Sequence, residues 1–309
     1  MLNLPLANAI GIDVGGTNLR LGVFAGTQLI LEKRFQADFA HICHHNDANV
    51  AWQKIVQMIG EAIQPLLHQH PTICSVGIGF PGFIQPISQL IMQSPNFPGL
   101  KAVNLAADLG ALINKKVIVE NDALAAAYGE YCLLEKPAQG LIYIGLGTGV
   151  GGGLILEGKP FAGKHGVAME VGHIIVEPNG RECGCGNKGC MEQYASATGV
   201  AKSYYLATQQ QLSAAEIASL ATQGDQAALQ AYQLAAKALA QSLAHVVKVL
   251  DVENIVIGGG MVGAWQLMQP TFNQYFEADL IPVLRGKITI ATSNANDQAG
   301  MLGAAMLSM

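Results

Sequence analysis

Three cysteines lie within eight residues of one another, and a histidine precedes the first of them by ten residues. Cys183, Cys185 and Cys190 form a C-x-C-x4-C pattern, with His173 upstream. Three thiolates and one imidazole make a complete tetrahedral ligand set for Zn²⁺. Because four protein ligands leave no coordination position for water, the pattern predicts a structural rather than a catalytic zinc ion. The alternative is a disulfide, but that needs an oxidising compartment, and nothing in the sequence indicates export.

Two carboxylates flank these candidate metal ligands. Glu170 lies three residues before His173, and Glu192 lies two residues after Cys190. A metal ion bound between them would hold both side chains in fixed positions, as recognition of a polar ligand requires. A metal-bound imidazole usually donates its second N–H group to an acceptor, which here could be a substrate hydroxyl. The alternative is that both carboxylates are ordinary solvated surface groups.

Two glycine-rich turns separate stretches of alternating apolar residues. Residues 9–24 read AIGIDVGGTNLRLGVF, and residues 141–156 read LIYIGLGTGVGGGLIL. Each pattern predicts a strand, a glycine turn and a second strand. Backbone N–H groups in such turns can face a phosphate, because glycine has no Cβ to obstruct it. The candidate phosphate contacts are Gly15, Gly16, Thr17, Asn18, Gly147, Thr148 and Gly149, and Asp13 could hold a hydrated Mg²⁺.

A third glycine turn follows another predicted strand. Gly258, Gly259 and Gly260 follow the strand 254–257, which a helix from about Gln226 to Leu250 precedes. None of these glycine turns matches the dinucleotide or P-loop fingerprint. Two glycine turns between strands, one in each half, instead favour two similar domains that close on a nucleotide. Unrelated turns between strands remain the alternative.

Asn121 and Asp122 come directly after a predicted strand from Val117 to Glu120 and open a predicted helix. A carboxylate at this position often serves only as a helix cap. Beside a phosphate-binding site it is also well placed to act on a hydroxyl. Asn96 lies in a predicted loop, SPNFPGL, between the two glycine-rich turns.

The composition bounds the class of protein. The chain has 309 residues, of which 50% are hydrophobic and 13% charged, so it is long enough for two domains and unlike a disordered protein. A net charge of −5 without a basic block predicts no nucleic-acid or membrane-surface partner. The sequence shows neither a signal peptide nor an apolar run long enough to span a membrane, so we expect a cytoplasmic protein. Residues 41–47, HICHHND, are interpreted as a polar loop, with a second metal site as the alternative.

The motifs together resemble those of one known family. IDVGGTN, GIGFPG, ENDA, GLGTGVGGG, EVGH, CGCGNKGCMEQYASATG and VIGGGMV occur in the order seen in the ROK family of bacterial sugar kinases. The resemblance covers nearly the whole chain, and the cysteine segment with its EQYAS continuation looks most like the glucokinases of that family. ROK repressors carry an N-terminal helix-turn-helix, for which a first glycine turn starting near residue 11 leaves no room. We therefore expect an enzyme.

The resemblance implies an α/β fold of the two-domain, actin-like (RNase H-like) ATPase type. The smaller domain would comprise residues 1–119 and a C-terminal helix at about 298–309, and the larger one, residues 120–297, would carry the zinc motif. ATP would lie in the cleft, with its phosphates between loops 13–18 and 145–151 and its adenosine near Gly258, Gly259 and Gly260. Relatives are often homodimers or homotetramers.

The resemblance also implies roles for individual residues. Asp122 would be the general base, and the expected reaction is ATP-dependent phosphorylation of the 6-hydroxyl of glucose. N-acetylglucosamine, N-acetylmannosamine, fructose and allose are alternative substrates, and a sugar-sensing regulator without turnover is the alternative class. The sugar contacts would be Asn96, Asn121, Asp122, Glu170, His173 and Glu192. The zinc ligands would be the same four residues that the spacing predicts.

Four residues depart from the family pattern. Asn18 stands where many members have Lys, and Leu124 replaces a common Asn. Gln85 stands where an acidic residue is frequent, and Met169 where Gly is usual. The departures leave the proposed chemistry intact and bear on phosphate contacts and substrate choice.

Overall fold

A computed structural model describes residues 8–136, 138–293, 295 and 298–309. The strands are β1 (Ala9–Val14), β2 (Asn18–Ala25), β3 (Gln28–Gln36), β4 (Ser75–Phe80), β5 (Phe83–Ile84), β6 (Ile91–Gln93), β7 (Lys101–Val103), β8 (Lys116–Asn121), β9 (Gly140–Leu146), β10 (Val150–Leu156), β11 (Lys159–Pro160), β12 (Asn254–Gly258) and β13 (Thr289–Thr292). The helices are α1 (Phe39–His45), α2 (Ala48–Gln69), α3 (Leu105–Ile113), α4 (Asp122–Cys132), α5 (Glu192–Ala195), α6 (Ala197–Thr208), α7 (Ala214–Thr222), α8 (Gln226–Leu250), α9 (Trp265–Asp279) and α10 (Ala299–Ser308). Short 3₁₀ helices occupy Val171–His173, Gly260–Ala264 and Pro282–Leu284.

The chain divides into two compact units. The first comprises Met1–Ala138, Gly153–Ala168 and Ala295–Met309, and the second comprises Gln139–Gly152 and Met169–Asn294. The predicted larger domain, residues 120–297, includes α4, whereas in the structure α4 lies in the first unit.

Close packing of α4 against α10 explains this placement of α4. A Cβ built at Gly129 of α4 would lie 2.0 Å from the Ala299 carbonyl oxygen. One built at Gly303 of α10 would lie 1.7 Å from the Ala125 carbonyl oxygen. The two helices therefore touch backbone to backbone, which is possible only with glycine at both contacts.

A mixed sheet forms the centre of the first unit, with the strand order β3-β2-β1-β4-β8. β2 runs antiparallel to β1 and β3, while β4 runs parallel to β1 and β8. Every residue of β4 is buried, as expected of a parallel strand covered on both faces. A Cβ at Gly77 of β4 would lie 1.6 Å from the Ala304 carbonyl oxygen, so α10 lies directly on the sheet.

The parallel strands of this sheet end at one edge. Asp13 of β1 is opposite Gly79 of β4, and Gly79 is opposite Glu120 of β8. The turns that follow β1, β4 and β8 therefore leave the sheet side by side. Crevices beyond the carboxyl ends of parallel strands are where open α/β sheets bind ligands.

The second unit repeats this arrangement with different strands. β9 continues through a glycine turn into the first three residues of β10, and β12 lies parallel between β9 and β13. Gly145 of β9 is opposite Gly258 of β12, so the turns after these two strands also lie at one edge. The predicted bounds of α8, residues 226–250, match the structure. Its buried face consists mainly of alanine, leucine and valine at helical spacing.

Residues 41–47 differ from the predicted polar loop, because Phe39–His45 form helix α1. Phe39 and Cys43 are one helical turn apart, and both are buried. The Asp38 carboxylate caps the helix by accepting a hydrogen bond from the His41 N–H group at 2.9 Å. Burial of this short apolar face and the cap outweigh the polar composition. Among the helices that the structure describes, none is long and apolar enough to cross a membrane.

Candidate functional site

The four predicted metal ligands meet in the second unit. The ligand atoms of His173, Cys183, Cys185 and Cys190 all lie within 4.8 Å of one another. The Cys183 Sγ atom is 3.5 Å from His173 Nδ1, and the Cys185 and Cys190 Sγ atoms are 3.6 Å apart. In a tetrahedral site with Zn–S of about 2.3 Å and Zn–N of about 2.0 Å, sulfurs are separated by about 3.8 Å and sulfur from nitrogen by about 3.5 Å. The donor set and its spacing thus fit a zinc ion.

Tight turns between the cysteines create this spacing. The Gly186 N–H group donates to the Cys183 carbonyl at 3.0 Å, and Gly186 and Gly189 have φ angles of 93° and 79°. A Cβ at Gly189 would lie 1.7 Å from the Glu177 carbonyl oxygen, so only glycine fits there. Gly184, in contrast, has open space around its Cα atom, and the structure gives no steric reason for glycine at that position.

The protonation of the thiols depends on what lies between them. Burial raises the pKa of Cys190 to about 12, and the adjacent Cys185 and Cys183 thiols add to this increase. Hydrogen bonding from the Asn187 N–H group lowers the pKa of Cys185. A cation among the sulfurs would favour the thiolate form of all three. Within the described ranges this group alone brings three or more metal-ligating side chains together, so residues 41–47 form no second such group.

The second nitrogen of His173 faces a carboxylate. His173 Nδ1 is on the cysteine side, whereas Nε2 lies 3.8 Å from Glu170 Oε2. Burial raises the pKa of Glu170, the His173 charge opposes this increase, and the Glu192 charge adds to it. The Glu170 and His173 side chains remain 40% and 33% exposed. They are therefore accessible to a ligand while the metal group can fix the imidazole.

Glu192 joins this group to the glycine turn between β9 and β10. Its Oε2 atom accepts a hydrogen bond from the Val150 N–H group at 3.0 Å. A Cβ at Gly149 would lie 2.6 Å from the same oxygen, so the turn passes directly over the carboxylate. Within the turn, the Gly147 N–H group donates to the Gly149 carbonyl at 3.0 Å. The predicted sugar contact and the predicted phosphate contacts thus touch within one unit.

The turn after β12 lies beside the same strand end. Gly259 has a φ angle of 83°, and a Cβ there would lie 2.4 Å from the Leu146 carbonyl oxygen at the end of β9. Gly258 is opposite Gly145 in the sheet, and Gly260 begins a 3₁₀ helix. The predicted adenosine contacts and the turn 147–149 therefore belong to neighbouring parallel strands.

In the first unit, the other glycine turn connects β1 to β2. The Gly15 N–H group donates to the Asn18 carbonyl at 2.8 Å, which closes the turn. Thr17 and Asn18 are exposed, and the Asn18 side-chain amide donates to Thr17 Oγ1 at 3.2 Å. Asp13 is half-buried at the end of β1, and its carboxylate packs beside Gly300 at the start of α10. The turn is therefore accessible to a ligand, and the Asp13 carboxylate is held beside the start of α10.

Asn121 and Asp122 lie at the same sheet edge, where β8 passes into α4. The Asn121 side chain caps the helix by accepting from the Leu124 N–H group at 3.0 Å and donates to the Gly82 carbonyl at 3.2 Å. The capping role thus falls to Asn121, and Asp122 occupies the first helical position. One Asp122 carboxylate oxygen accepts from the Ala123 N–H group at 2.8 Å.

The loop that carries Asn96 lies next to Gly82. The Ser94 hydroxyl donates to the Pro81 carbonyl and attaches this loop to the Pro81–Gly82 turn. Asn96 itself is exposed. The first unit therefore brings Asn96 and Asn121 to the same turn, whereas the second unit carries Glu170, His173 and Glu192.

The structure shows the local environment of two of the residues that depart from the family pattern. Met169 has a φ angle of 66°, a left-handed conformation that glycine adopts at much lower cost than other residues. Its carbonyl oxygen accepts from the Val171 N–H group at 2.7 Å. Leu124 is 4% exposed, so it belongs to the core of the first unit.

Two α/β units with glycine turns at the ends of parallel strands, and polar side chains beside them, are consistent with the actin-like fold of sugar kinases. The model of the ROK family matches residues 9–309. The chain is 30% identical to a glucokinase of Thermotoga maritima (98% of both proteins) and 34% identical to an N-acetyl-D-glucosamine kinase of Shigella boydii (96% of this chain and 98% of that protein). A ROK glucokinase from Streptomyces griseus, solved with glucose and AMPPNP, superposes with a TM-score of 0.80 at 29% identity over 97% of this chain and 98% of that one.

The chain therefore belongs to the ROK family and is an ATP-dependent sugar kinase. This result confirms the family and the class of enzyme that the sequence motifs predict.

One titratable group beside the site was missed by the sequence analysis. Glu120 precedes Asn121, and its carboxylate accepts from the Asn121 N–H group at 2.8 Å. Burial raises the pKa of Glu120 to about 7, and this hydrogen bond opposes the increase. The strand pattern gave no sign of this, because burial of a strand-end carboxylate depends on residues distant in sequence.

We predict that Glu120→Gln stabilises the protein more at pH 8 than at pH 5. The pKa in the folded state exceeds the unfolded value, so protonation stabilises the fold at low pH, and this contribution is lost as the pH rises through about 7. The glutamine cannot ionise, so its advantage in free energy of unfolding should be about 2 kcal/mol larger at pH 8. Urea unfolding at both pH values measures this difference. Glu61→Gln, at an exposed position of α2, should show no such difference, and equal gains for Glu120→Gln at both pH values would contradict the assignment.

Proposed function

We propose that this kinase transfers the γ-phosphoryl group of ATP to the 6-hydroxyl of a hexose, with glucose as the preferred substrate. The observation that carries the proposal is the contact between the Glu192 carboxylate and the Val150 amide, which joins the predicted sugar contacts to a predicted phosphate turn. The EQYAS continuation after Cys190 and the glucokinase relatives support glucose. A homodimer or homotetramer is the assembly that we expect by the same resemblance.

The sugar contacts follow from the family motifs, residue by residue. Asn96 and Asn121 offer amide groups for sugar hydroxyls, and Glu170 and Glu192 offer carboxylates. His173 would bind zinc through Nδ1 and present its Nε2 atom to the sugar and Glu170. Two carboxylates and an imidazole, held in place by the zinc site, could form several directed hydrogen bonds to the hydroxyl groups of a sugar.

Asp122 is the general base in this proposal. It would accept the proton of the 6-hydroxyl while that oxygen attacks the γ-phosphorus in line. A carboxylate with an ordinary pKa near 4 is a weak base for a hydroxyl, so the proton moves late. Most of the rate then comes from positioning and charge stabilisation.

The nucleotide contacts complete the assignment. The turns of Gly15, Gly16, Thr17 and Asn18 and of Gly147, Thr148 and Gly149 would bind the phosphates through backbone N–H groups other than those of Gly15 and Gly147, which close the turns. Gly258, Gly259 and Gly260 would lie by the adenosine. Asp13 would hold hydrated Mg²⁺, which supplies positive charge to the phosphate oxygens. Zinc at His173, Cys183, Cys185 and Cys190 is structural in this proposal, because all four positions are filled by the protein.

Other substrates give a second candidate function. Similarity to an N-acetyl-D-glucosamine kinase supports an N-acetylated hexose as the substrate of this chain. Met169, which precedes Glu170 where the family usually has glycine, would change the wall of the site that faces the sugar. N-acetylmannosamine, fructose and allose follow. A sugar-sensing regulator without turnover is the non-catalytic alternative, and it has no chemical need for Asp122.

The test of function is release of ADP from Mg-ATP with each of five sugars: glucose, N-acetylglucosamine, N-acetylmannosamine, fructose and allose. We expect the highest kcat/KM with glucose, and ³¹P NMR of the product should show a 6-phosphate. A higher kcat/KM with another of these sugars would overturn glucose and retain the chemistry. Sugar binding without turnover on any of them would support the regulator.

We predict that Asp122→Asn still binds the sugar but loses turnover. The amide keeps the size and hydrogen-bonding ability of the side chain yet cannot accept the proton, so kcat should fall by about 10²–10⁴-fold. Titration calorimetry and the ADP-release assay separate binding from catalysis. Asp108→Asn makes the same change in the first turn of α3 and should retain kcat. Near-normal turnover in Asp122→Asn would eliminate the general-base role.

We also predict that loss of zinc weakens sugar binding. Cys185→Ser removes an exposed ligand, which should abolish stoichiometric zinc, loosen Glu170 and Glu192 together and raise the sugar KM at least about tenfold. Metal analysis, circular dichroism and steady-state kinetics provide the measurements. Cys74→Ser alters an exposed cysteine of the first unit and should keep one zinc per chain. A metal-free, folded variant with an unchanged KM would separate the metal group from the sugar site.

A further inference from the structure

Arg181 lies two residues before Cys183 and directs its guanidinium at backbone oxygens. Its Nη1 atom donates to the carbonyl oxygens of Gln193 at 2.6 Å and Gly199 at 3.1 Å. Its Nη2 atom donates to Ser203 Oγ at 2.9 Å. The guanidinium carbon also lies 4.5 Å from the centre of the Tyr194 ring, a cation–π contact. One partly buried side chain therefore connects two successive helices, α5 and α6.

These helices need such a connection because the chain is extended between them. Ser196 has φ and ψ angles of −79° and 167°, so helical hydrogen bonding is interrupted at that residue. Gln193 lies before this interruption and Gly199 after it. A planar guanidinium with several N–H donors can bind both carbonyl groups at once, which a lysine ammonium on a flexible stem does with less geometric definition.

The main chain of Arg181 is attached to both neighbouring elements. Its N–H group donates to Tyr194 Oη at 3.0 Å, and its carbonyl oxygen accepts from the Gly189 N–H group at 2.7 Å. Gly189 belongs to the turns between the cysteines, whereas Tyr194 belongs to α5. Arg181 thus links the cysteine turns to residues 192–199, which we call the α5–α6 segment.

The α5–α6 segment in turn holds the glycine turn after β9. The Ala197 N–H group donates to the Gly147 carbonyl at 2.9 Å, and Thr198 Oγ1 donates to the Thr148 carbonyl at 2.9 Å. Glu192 accepts from the Val150 N–H group, as described above. Three contacts from one short segment therefore fix the position of the turn 147–149.

We propose that Arg181 is a positioning residue for nucleotide and sugar binding. By holding α5 and α6 across Ser196, it fixes the α5–α6 segment, which in turn fixes the turn 147–149 and the Glu192 carboxylate. This inference rests on the proposed function, in which that turn binds nucleotide phosphates and Glu192 binds the sugar. It assigns no contact with substrate to Arg181 itself.

The test compares Arg181→Met and Arg181→Lys with the wild type, using Mg-ADP as the probe and no sugar. Loss of hydrogen bonds from a charged donor should raise the Kd for Mg-ADP about tenfold in Arg181→Met and less in Arg181→Lys. The zinc content should stay the same in both. Arg285→Met removes a guanidinium that donates to the Leu280 carbonyl elsewhere in the unit and should leave the Kd unchanged.

Hydrogen–deuterium exchange provides a readout independent of catalysis. In Arg181→Met, amides of residues 147–150 and 192–199 should exchange faster, while those of β12 keep their protection. If exchange becomes faster throughout the unit, or does not become faster at residues 147–150, Arg181 only stabilises the unit in general, and the proposal is overturned. If Arg181→Met does not fold, Ser203→Ala removes the Nη2 acceptor together with the hydrogen bond from the Ser203 hydroxyl to the Gly199 carbonyl. This variant should show the same exchange pattern to a smaller extent.

A double-variant cycle tests the route through the segment. Thr198→Val removes the hydroxyl that donates to Thr148 and keeps the side-chain shape. If both residues act on the same turn, the effects of Arg181→Met and Thr198→Val on the Kd should be less than additive in free energy, whereas additive effects would contradict the route. Failure of wild-type protein to bind Mg-ADP would count against the proposed function, and the exchange data would still decide the role of Arg181.

Discussion

Contact between backbones at glycine is the constraint on which both units depend. In the first unit, α10 lies so close to β4 and α4 that any Cβ at Gly77 or Gly303 would overlap a carbonyl oxygen. In the second unit, a Cβ at Gly189 or Gly259 would likewise overlap the carbonyl oxygen of Glu177 or Leu146. These close contacts at glycine fix the distances between the helices, strands and turns that they join. Such sites tolerate substitution poorly, since filled interiors cannot absorb an extra methyl group without displacement.

Parallel strands bring the polar and glycine-rich turns of each unit together at one edge of its sheet. In each unit the polar and glycine-rich turns follow strands that run in the same direction, so residues far apart in sequence leave the sheet together. Asp13, Glu120 and the residues after them meet in this way. In the second unit, the cysteine turns and the α5–α6 segment add a second layer of support behind the turn 147–149. The side chains proposed to bind sugar are thus held by both backbone and side-chain hydrogen bonds.

Local patterns in the sequence predicted the parts of the structure that depend on local rules. The helical spacing of apolar residues predicted the bounds of α8. The spacing of the three cysteines and His173 predicted the four side chains that lie together. The polar composition of residues 41–47 hid helix α1, because its stability comes from burial of Phe39 and Cys43. Arg181 carries no motif signal of its own, and two of the three acceptors of its side-chain hydrogen bonds are backbone carbonyls, which any residue type supplies. Such contacts follow only from the three-dimensional path of the chain.

Met169 shows how little stability alone can say about a residue beside the site. A left-handed backbone costs a non-glycine residue roughly 1–2 kcal/mol, so glycine at this position would relieve strain. Glycine would also give the unfolded chain more conformational freedom, which costs roughly 0.5–1 kcal/mol on folding. The strain is the larger contribution, so methionine lowers the stability of the fold at this position, and stability gives no reason for it. The reason for methionine therefore has to lie in what its side chain contacts, because strained backbone conformations of this kind persist mainly at sites that bind ligands.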